Sequence, residues 1–99
     1  MLTIDKKQEG NKIILQLEGK LDTLTSPDLD AKINELPDDF QELILDFTKL
    51  KYISSAGLRV LLKTQQNVHE GSRLVITNVD TVIMDILEVT GFTDFLTIE

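Results

Sequence analysis

Two hydroxyls, Ser54 and Ser55, stand where the character of the chain changes. Before them lies the apolar run Leu43-Ile44-Leu45-Asp46-Phe47. After them Leu58, Leu61 and Leu62, with Val68 further on, recur at helical spacing, while Arg59, Lys63, Gln66 and Asn67 supply a polar face. A serine at such a strand-to-helix junction meets backbone N–H groups that have no intrahelical partner, at the positive end of the helix dipole. Its oxygen can cap the helix, or it can carry a phosphate that this end tolerates. The local pattern fits both readings: Ser54 as a cap with Ser55 an ordinary first-turn residue, or one of the pair as a phosphate acceptor.

Nucleophilic catalysis fits poorly. A serine nucleophile needs a base held by a third group and an oxyanion hole. His69 is the single histidine, and on one continuous helix the fourteen steps from Ser55 separate the two by roughly 21 Å along the axis. His69 reads instead as a last-turn or solvated residue. Ile53 also occupies the first glycine position of a Gly-x-Ser-x-Gly elbow. The chain has no phosphate-binding loop, no Gly-x-Gly-x-x-Gly, no histidine pair and no cysteine set for a metal. Most carboxylates have local explanations: Asp28 and Asp30 at a helix start, Asp38 and Asp39 in a turn, Asp80 as a cap. Asp22 and Asp46 fall at inferred strand ends on the same rim as Ser55. As a magnesium site two acids are weak, and roles in closing the strand ends suit them equally.

The elements that must position these residues can be read from periodicity. Residues 2–7 and 12–19 alternate as strands around a Glu9-Gly10-Asn11 turn. Ser26-Pro27-Asp28 announces a helix, with Ser26 as cap, Pro27 at the first helical position, and Leu29, Ile33 and Leu36 as its buried stripe. The run at 42–47 is short and continuous enough for a strand buried on both faces, and Lys49 to Ile53 reads as a link to the serine-capped helix, which runs to about His69. Glu70-Gly71-Ser72 ends that helix. Leu74 to Ile76 makes another strand, Asp80 caps a third helix ending near Val89 and Gly91, and Phe95 to Ile98 offers a last short strand. The order β-β-α-β-α-β-α, with or without the final strand, predicts an α/β fold: a mixed four- to five-stranded sheet covered by helices. The third helix carries more apolar residues than one buried stripe needs; burial within the domain or in a homodimer is the simpler explanation, ahead of an exposed patch that marks a partner interface.

With 99 residues the chain forms one domain, 1–99, large enough for a core without disulfides or metal. Its 41% hydrophobic and 27% charged content is that of a globular protein rather than a disordered or membrane-spanning one. No apolar run approaches a span and no secretion signal opens the chain, so a cytoplasmic location without membrane insertion is expected. Zero cysteine removes thiol chemistry, and a net charge of −7 argues against direct nucleic-acid binding.

Asp46 followed by Ile53-Ser54-Ser55-Ala56-Gly57-Leu58-Arg59-Val60-Leu61-Leu62 resembles the signature of the STAS domains of bacterial anti-sigma factor antagonists. Leu17-Glu18-Gly19-Lys20-Leu21-Asp22 resembles the early strand of that family, and the likeness extends through Gly71–Thr77 over nearly all of the chain. The resemblance implies a binding protein and not an enzyme, with no cofactor of its own. Its partner would be an anti-sigma factor serine kinase using ATP and Mg²⁺; the unphosphorylated form would bind it and release the sigma factor. Phosphorylation at Ser55 would switch that binding off, and a serine phosphatase would reset it. Asp22, Ser54, Ser55, Gly57, Leu58 and Arg59 would form the partner surface, with Asp46 shaping the loop. Phosphorylated members usually read Asp-Ser-Ser/Thr-Gly at the junction. Here Ser54 replaces the acidic residue and Ala56 the second hydroxyl, so a kinase that needs the acid would act poorly. The alternative within the same resemblance is a constitutive STAS subunit bound to the ATPase of a membrane lipid transporter.

Overall fold

Alternation builds the sheet. In β2 (Lys12–Leu21) the side chains of Ile13, Leu15 and Leu17 are buried while Ile14 and Gln16 are only half-buried, and in β3 (Glu42–Ile53) Leu43, Leu45 and Phe47 are buried against half-buried Ile44 and Asp46. The structure, a computed structural model, describes residues 1–37, 39–68 and 71–99. The expectations placed on Asp38, His69 and Glu70 lie outside the described residues. β1 (Leu2–Glu9) pairs antiparallel with β2 across the Gly10-Asn11 turn. β4 (Arg73–Thr77) and β5 (Thr97–Ile98) join β3 in parallel, giving five strands in the order β1-β2-β3-β4-β5. The expected order of elements and the mixed sheet are both observed.

Three helices supply the cover: α1 (Ser26–Asn34), α2 (Ser55–Asn67) and α3 (Thr81–Val89). Leu29, Leu58, Leu61, Ile83 and Leu87 join the inward residues of β2 and β3 in one buried cluster, so the helices share a single sheet face. The opposite face carries an ion-pair ladder across three strands. Glu42 accepts from Arg73 at 2.6 Å and lies 3.5 Å from Lys12, while Arg73 also reaches Glu99 at 3.0 Å. The run at 43–47 is therefore buried on one face only, contrary to the sequence expectation. Its half-buried residues look toward this polar side.

Helix boundaries differ from the sequence reading at two places. Thr25, not Ser26, occupies the N-cap position of α1; Ser26 is the first helical residue, and its buried hydroxyl donates to the Asp22 carbonyl at 2.5 Å. α2 ends at Asn67, short of His69. At α3 the expectation holds: the Asp80 carboxylate accepts from the Ile83 N–H at 2.9 Å, and Gly91, at φ 80°, turns the chain past the helix end.

The largest difference is in β3. The segment expected to link a strand to a helix, residues 49–53, is itself strand and pairs with β2 up to Leu21 and Ile53. Two irregularities, between Gln16 and Glu18 and between Gly19 and Lys20 of β2, each place one extra residue on β3. Each extra residue shifts the inward phase, so the buried side chains recur at Phe47, Leu50 and Ile53, three apart instead of two. A period of three conceals a strand from a reading that looks for two.

α2 can begin where it does because Gly57 has no side chain. A Cβ there would come within 2.8 Å of Leu21 and 2.9 Å of Ile53, closer than carbon atoms pack. Replacing Gly57 with alanine gains helix propensity of up to about 1 kcal/mol but overpacks the contact, which typically costs about 1–3 kcal/mol. Gly57→Ala is expected to lower unfolding stability by about 1 kcal/mol, read as a lower urea midpoint at unchanged slope. A midpoint at or above wild type would show that α2 can shift away from the strands.

Candidate functional site

β2 and β3 end side by side, and everything at the junction follows from that pairing. Leu21 is opposite Ile53, and the Ser54 N–H donates to the Leu21 carbonyl at 2.9 Å. The chain leaving β2 at Asp22 and the chain entering α2 at Ser54 and Ser55 are thus held together at one rim. Ser54 is the N-cap residue of α2 in extended conformation, and its carbonyl accepts the first helical bond, from Leu58 N–H at 3.0 Å.

The two serines have different surroundings. The Ser54 side chain makes no capping bond, and its Oγ is buried without a hydrogen-bond partner among the described residues. The capping role expected of its hydroxyl is therefore not what the structure shows. Ser55, the first helical residue, is exposed. Arg59 follows four residues later, one turn along the same helix face, exposed and with no ion pair among the described residues. Gly57 and Leu58, expected at the contact surface, face inward: Gly57 lies against Leu21 and Ile53, and Leu58 belongs to the core cluster. The spacing that makes Leu58 part of the buried stripe of α2 also removes it from solvent.

Asp22 closes the neighbouring turn. Its Oδ1 accepts from the Leu24 and Thr25 N–H groups, both at 3.0 Å, while the Thr25 hydroxyl accepts from the Asp22 N–H at 2.9 Å and donates to the Lys20 carbonyl at 2.8 Å. The Thr25 N–H does most to hold this carboxyl below the ordinary aspartate value of 3.8; burial opposes it, and the Thr25 hydroxyl and Leu24 N–H assist. Thr25 was not singled out in the sequence, although Asp-x-x-Thr after a strand is a recognisable turn signal. Leu24, 87% exposed, projects from the same turn beside the serines' rim. An exposed leucine in a turn has no periodic signature by which it could be found.

Asp46 is elsewhere. It lies within β3, opposite Gln16, and five steps of β2 separate that level from the Leu21–Ile53 closure, about 17 Å of strand. Its Oδ1 accepts from Thr48 N–H at 3.0 Å, the Thr48 hydroxyl at 2.5 Å and the Asn78 amide at 3.0 Å. Burial alone would raise its pKa, but these hydrogen bonds outweigh it and hold the carboxyl low. The structure therefore does not bring Asp46 to the serines, and its loop-shaping role is corrected: it ties β3 to the residues after β4. A strand over 42–47 would put Asp46 at its end; the strand runs on to Ile53. Among the described residues no cluster of three acidic or histidine side chains could hold a metal.

The model of the STAS domain family matches residues 3–99. The chain belongs to the STAS domain family. The anti-sigma-B factor antagonist of Bacillus subtilis is 26% identical over 98% of this chain and 90% of its own. Among solved STAS-like structures, an anti-sigma factor antagonist from Mycobacterium paratuberculosis superposes with a TM-score of 0.91, at 17% identity over 99% of this chain and 85% of that one. The phosphorylated form of the Bacillus cell fate determinant SpoIIAA gives 0.74, at 16% identity over 98% and 91%. At these identities the structural likeness is one of fold. No helix of the described STAS domain is long and apolar enough to cross a membrane.

Two outcomes follow from the geometry. Removing a buried hydroxyl that has no partner removes a desolvated polar group, so Ser54→Ala is expected to leave stability unchanged or raise it by up to about 1 kcal/mol, where loss of a true cap costs about 1 kcal/mol. A lower thermal midpoint would assign Ser54 a capping bond after all. For Asp22, a folded pKa below 3.8 means that its contribution is complete above 3.8 and is lost as pH falls through the lower folded value. Hydrogen exchange at the Leu24 and Thr25 amides should accelerate in that acid window relative to the rest of the sheet, and Asp22→Asn should abolish that pH dependence. Equal acid sensitivity in the variant would refer it to another group.

Proposed function

We propose that this chain is an anti-sigma factor antagonist whose unphosphorylated form binds an anti-sigma factor serine kinase, releasing the sigma factor, and that phosphorylation of Ser55 ends the interaction. The observation that carries this reading is the contrast between the two serines: the Ser55 side chain is open to solvent at the first position of α2, while the Ser54 Oγ is enclosed. A kinase needs an accessible hydroxyl, so Ser55 is the acceptor of the pair. The name of the Bacillus subtilis relative supports the antagonist reading, and phosphorylated SpoIIAA is a protein of the same fold that carries a phosphate.

In the reaction the Ser55 Oγ bonds to the γ-phosphorus of the partner's ATP as the bond from that phosphorus to the β-phosphate oxygen breaks; ADP leaves, and the hydroxyl proton passes to a base of the partner kinase. The product carries about −1.5 to −2 charge at neutral pH. The start of α2 favours negative charge, and Arg59 lies one turn away to share it. The partner surface consists of Asp22 and Leu24 on the β2–α1 turn with Ser54, Ser55 and Arg59 at the head of α2. Gly57 and Leu58 support it from beneath. A serine phosphatase removes the phosphate and restores binding.

The test uses wild type, Ser55→Ala and Ser55→Asp as parallel baits in extract of the source bacterium, with captured proteins identified by mass spectrometry and their affinities then measured. Wild type and Ser55→Ala should retain one kinase-like anti-sigma factor. Ser55→Asp should bind it about a hundredfold more weakly, equivalent to about 2.7 kcal/mol, with an unchanged thermal midpoint. Retention of a lipid-transporter ATPase by all three baits would overturn the switch and make the chain a constitutive subunit.

A further inference from the structure

α3 has two apolar faces and the domain uses one. Ile83 and Leu87 are fully buried in the core. Val82, Ile86 and Val89, four and three residues apart, fall on a second strip of the helix surface. Val82 is 64% and Val89 87% exposed, with Ile86 half-buried between them. Phe95, just past the 3-10 turn Phe92–Asp94 that packs on α3, is 62% exposed. Burial within the domain, one explanation for the apolar excess of this helix, thus accounts for half of it.

Charge restricts what could cover the rest. From Leu74 to Glu99 the chain holds no lysine, arginine or histidine and five acids. Two of these are occupied: Asp80 caps α3 and Glu99 pairs with Arg73. Asp85, Glu88 and Asp94 make no ion pair among the described residues. Asp85 and Glu88 sit along one edge of the Val82–Val89 strip. A second copy docked face to face would set these acids against their own kind, on molecules that each carry −7. An anionic membrane surface would be repelled in the same way.

We propose that the outer face of α3 docks an amphipathic helical segment of a partner protein, with apolar side chains spaced one turn apart and lysine or arginine beside them. The apolar strip supplies contact area, and Asp85, Glu88 and Asp94 select the basic flank. This surface goes beyond the Ser55 reading and does not depend on it.

The probe is a short amphipathic helical peptide of leucine and lysine, titrated into the isotope-labelled full chain and followed by amide chemical shifts, with a leucine–glutamate peptide of the same pattern as control. The expected result is saturable shifts centred on Val82, Ile86, Val89 and Phe95 with the lysine peptide alone. Affinity should fall at least tenfold in Val89→Ser and also in Asp85→Lys, with circular dichroism confirming that both variants fold. Shifts spread over the acidic surface at large, or centred on Asp22 and Ser55, would overturn the proposal. So would concentration-dependent self-association lost in Val89→Ser, or binding to phosphatidylglycerol vesicles through the same residues. Failure here leaves the Ser55 baits unaffected, because none of their variants touches α3.

Discussion

The parallel pairing of β2 with β3, carried through two bulges to Leu21 and Ile53, is the constraint on which the site depends. Each bulge increases local twist and resets which side chains face inward, so that Phe47, Leu50 and Ile53 all reach the core although they are spaced by three. Without those resets the strand would present Leu50 to the polar face. Because the pairing reaches the very end of both strands, the Ser54 N–H finds the Leu21 carbonyl and α2 starts without a loop. Gly57 lets the helix settle onto the same two side chains that close the pairing. Backbone hydrogen bonds, side-chain packing and a missing Cβ therefore fix one point, and Ser55 is the next exposed group beyond it.

The turn on the other side is fixed by different means. Asp22, Thr25 and Ser26 exchange backbone and side-chain hydrogen bonds within five residues, so the β2–α1 connection is shaped locally rather than by packing. Leu24 is then free of structural duty and exposed. The rim thus joins a turn held by charge-assisted hydrogen bonds to a helix start held by core contacts.

How much of this the sequence could reveal depended on whether a residue obeyed a single period. Leu29 and Leu61 follow helical spacing, Ile13, Leu15 and Leu17 follow alternation, and all five are buried; Leu58 obeys the same helical spacing, and its burial removes it from the contact surface expected of it. The Asp80 cap and the Gly91 turn are local chemistry and were equally legible. Residues 49–53 obeyed neither period because the bulges altered it, and that one misreading moved Asp46 to a rim it does not reach. Ser54 was misread for another reason: cap preference describes what a hydroxyl does at a helix start on average, while its actual rotamer is decided by neighbours distant in sequence. The same limit hid the burial of Gly57, since the closeness of Leu21 to it is a tertiary fact. The STAS likeness covered the whole site and could not correct these points, because a family signature records residue types and not which atoms are enclosed.

The balance between conformational and electrostatic explanations of a switch at Ser55 can be decided by magnitude. Negative charge at an exposed helix start is worth about 0.3–1 kcal/mol in favour of the fold, and the Arg59 charge one turn away adds to it. Nothing in that sum unfolds α2 or breaks the Leu21–Ile53 closure. A partner that covered a phosphorylated Ser55, as proposed, would instead have to desolvate the phosphate, at an effective penalty of several kcal/mol unless it offered its own cations. Asp22 already places one carboxylate at this rim, so the phosphate would give the partner a second anionic group to accommodate there. The unfavourable term therefore falls on association and the favourable one on the free domain. The Ser54–Leu21 backbone bond and the close packing at Gly57 favour that separation, because a helix start free to rearrange would accommodate the phosphate and reduce the contrast between free and bound states.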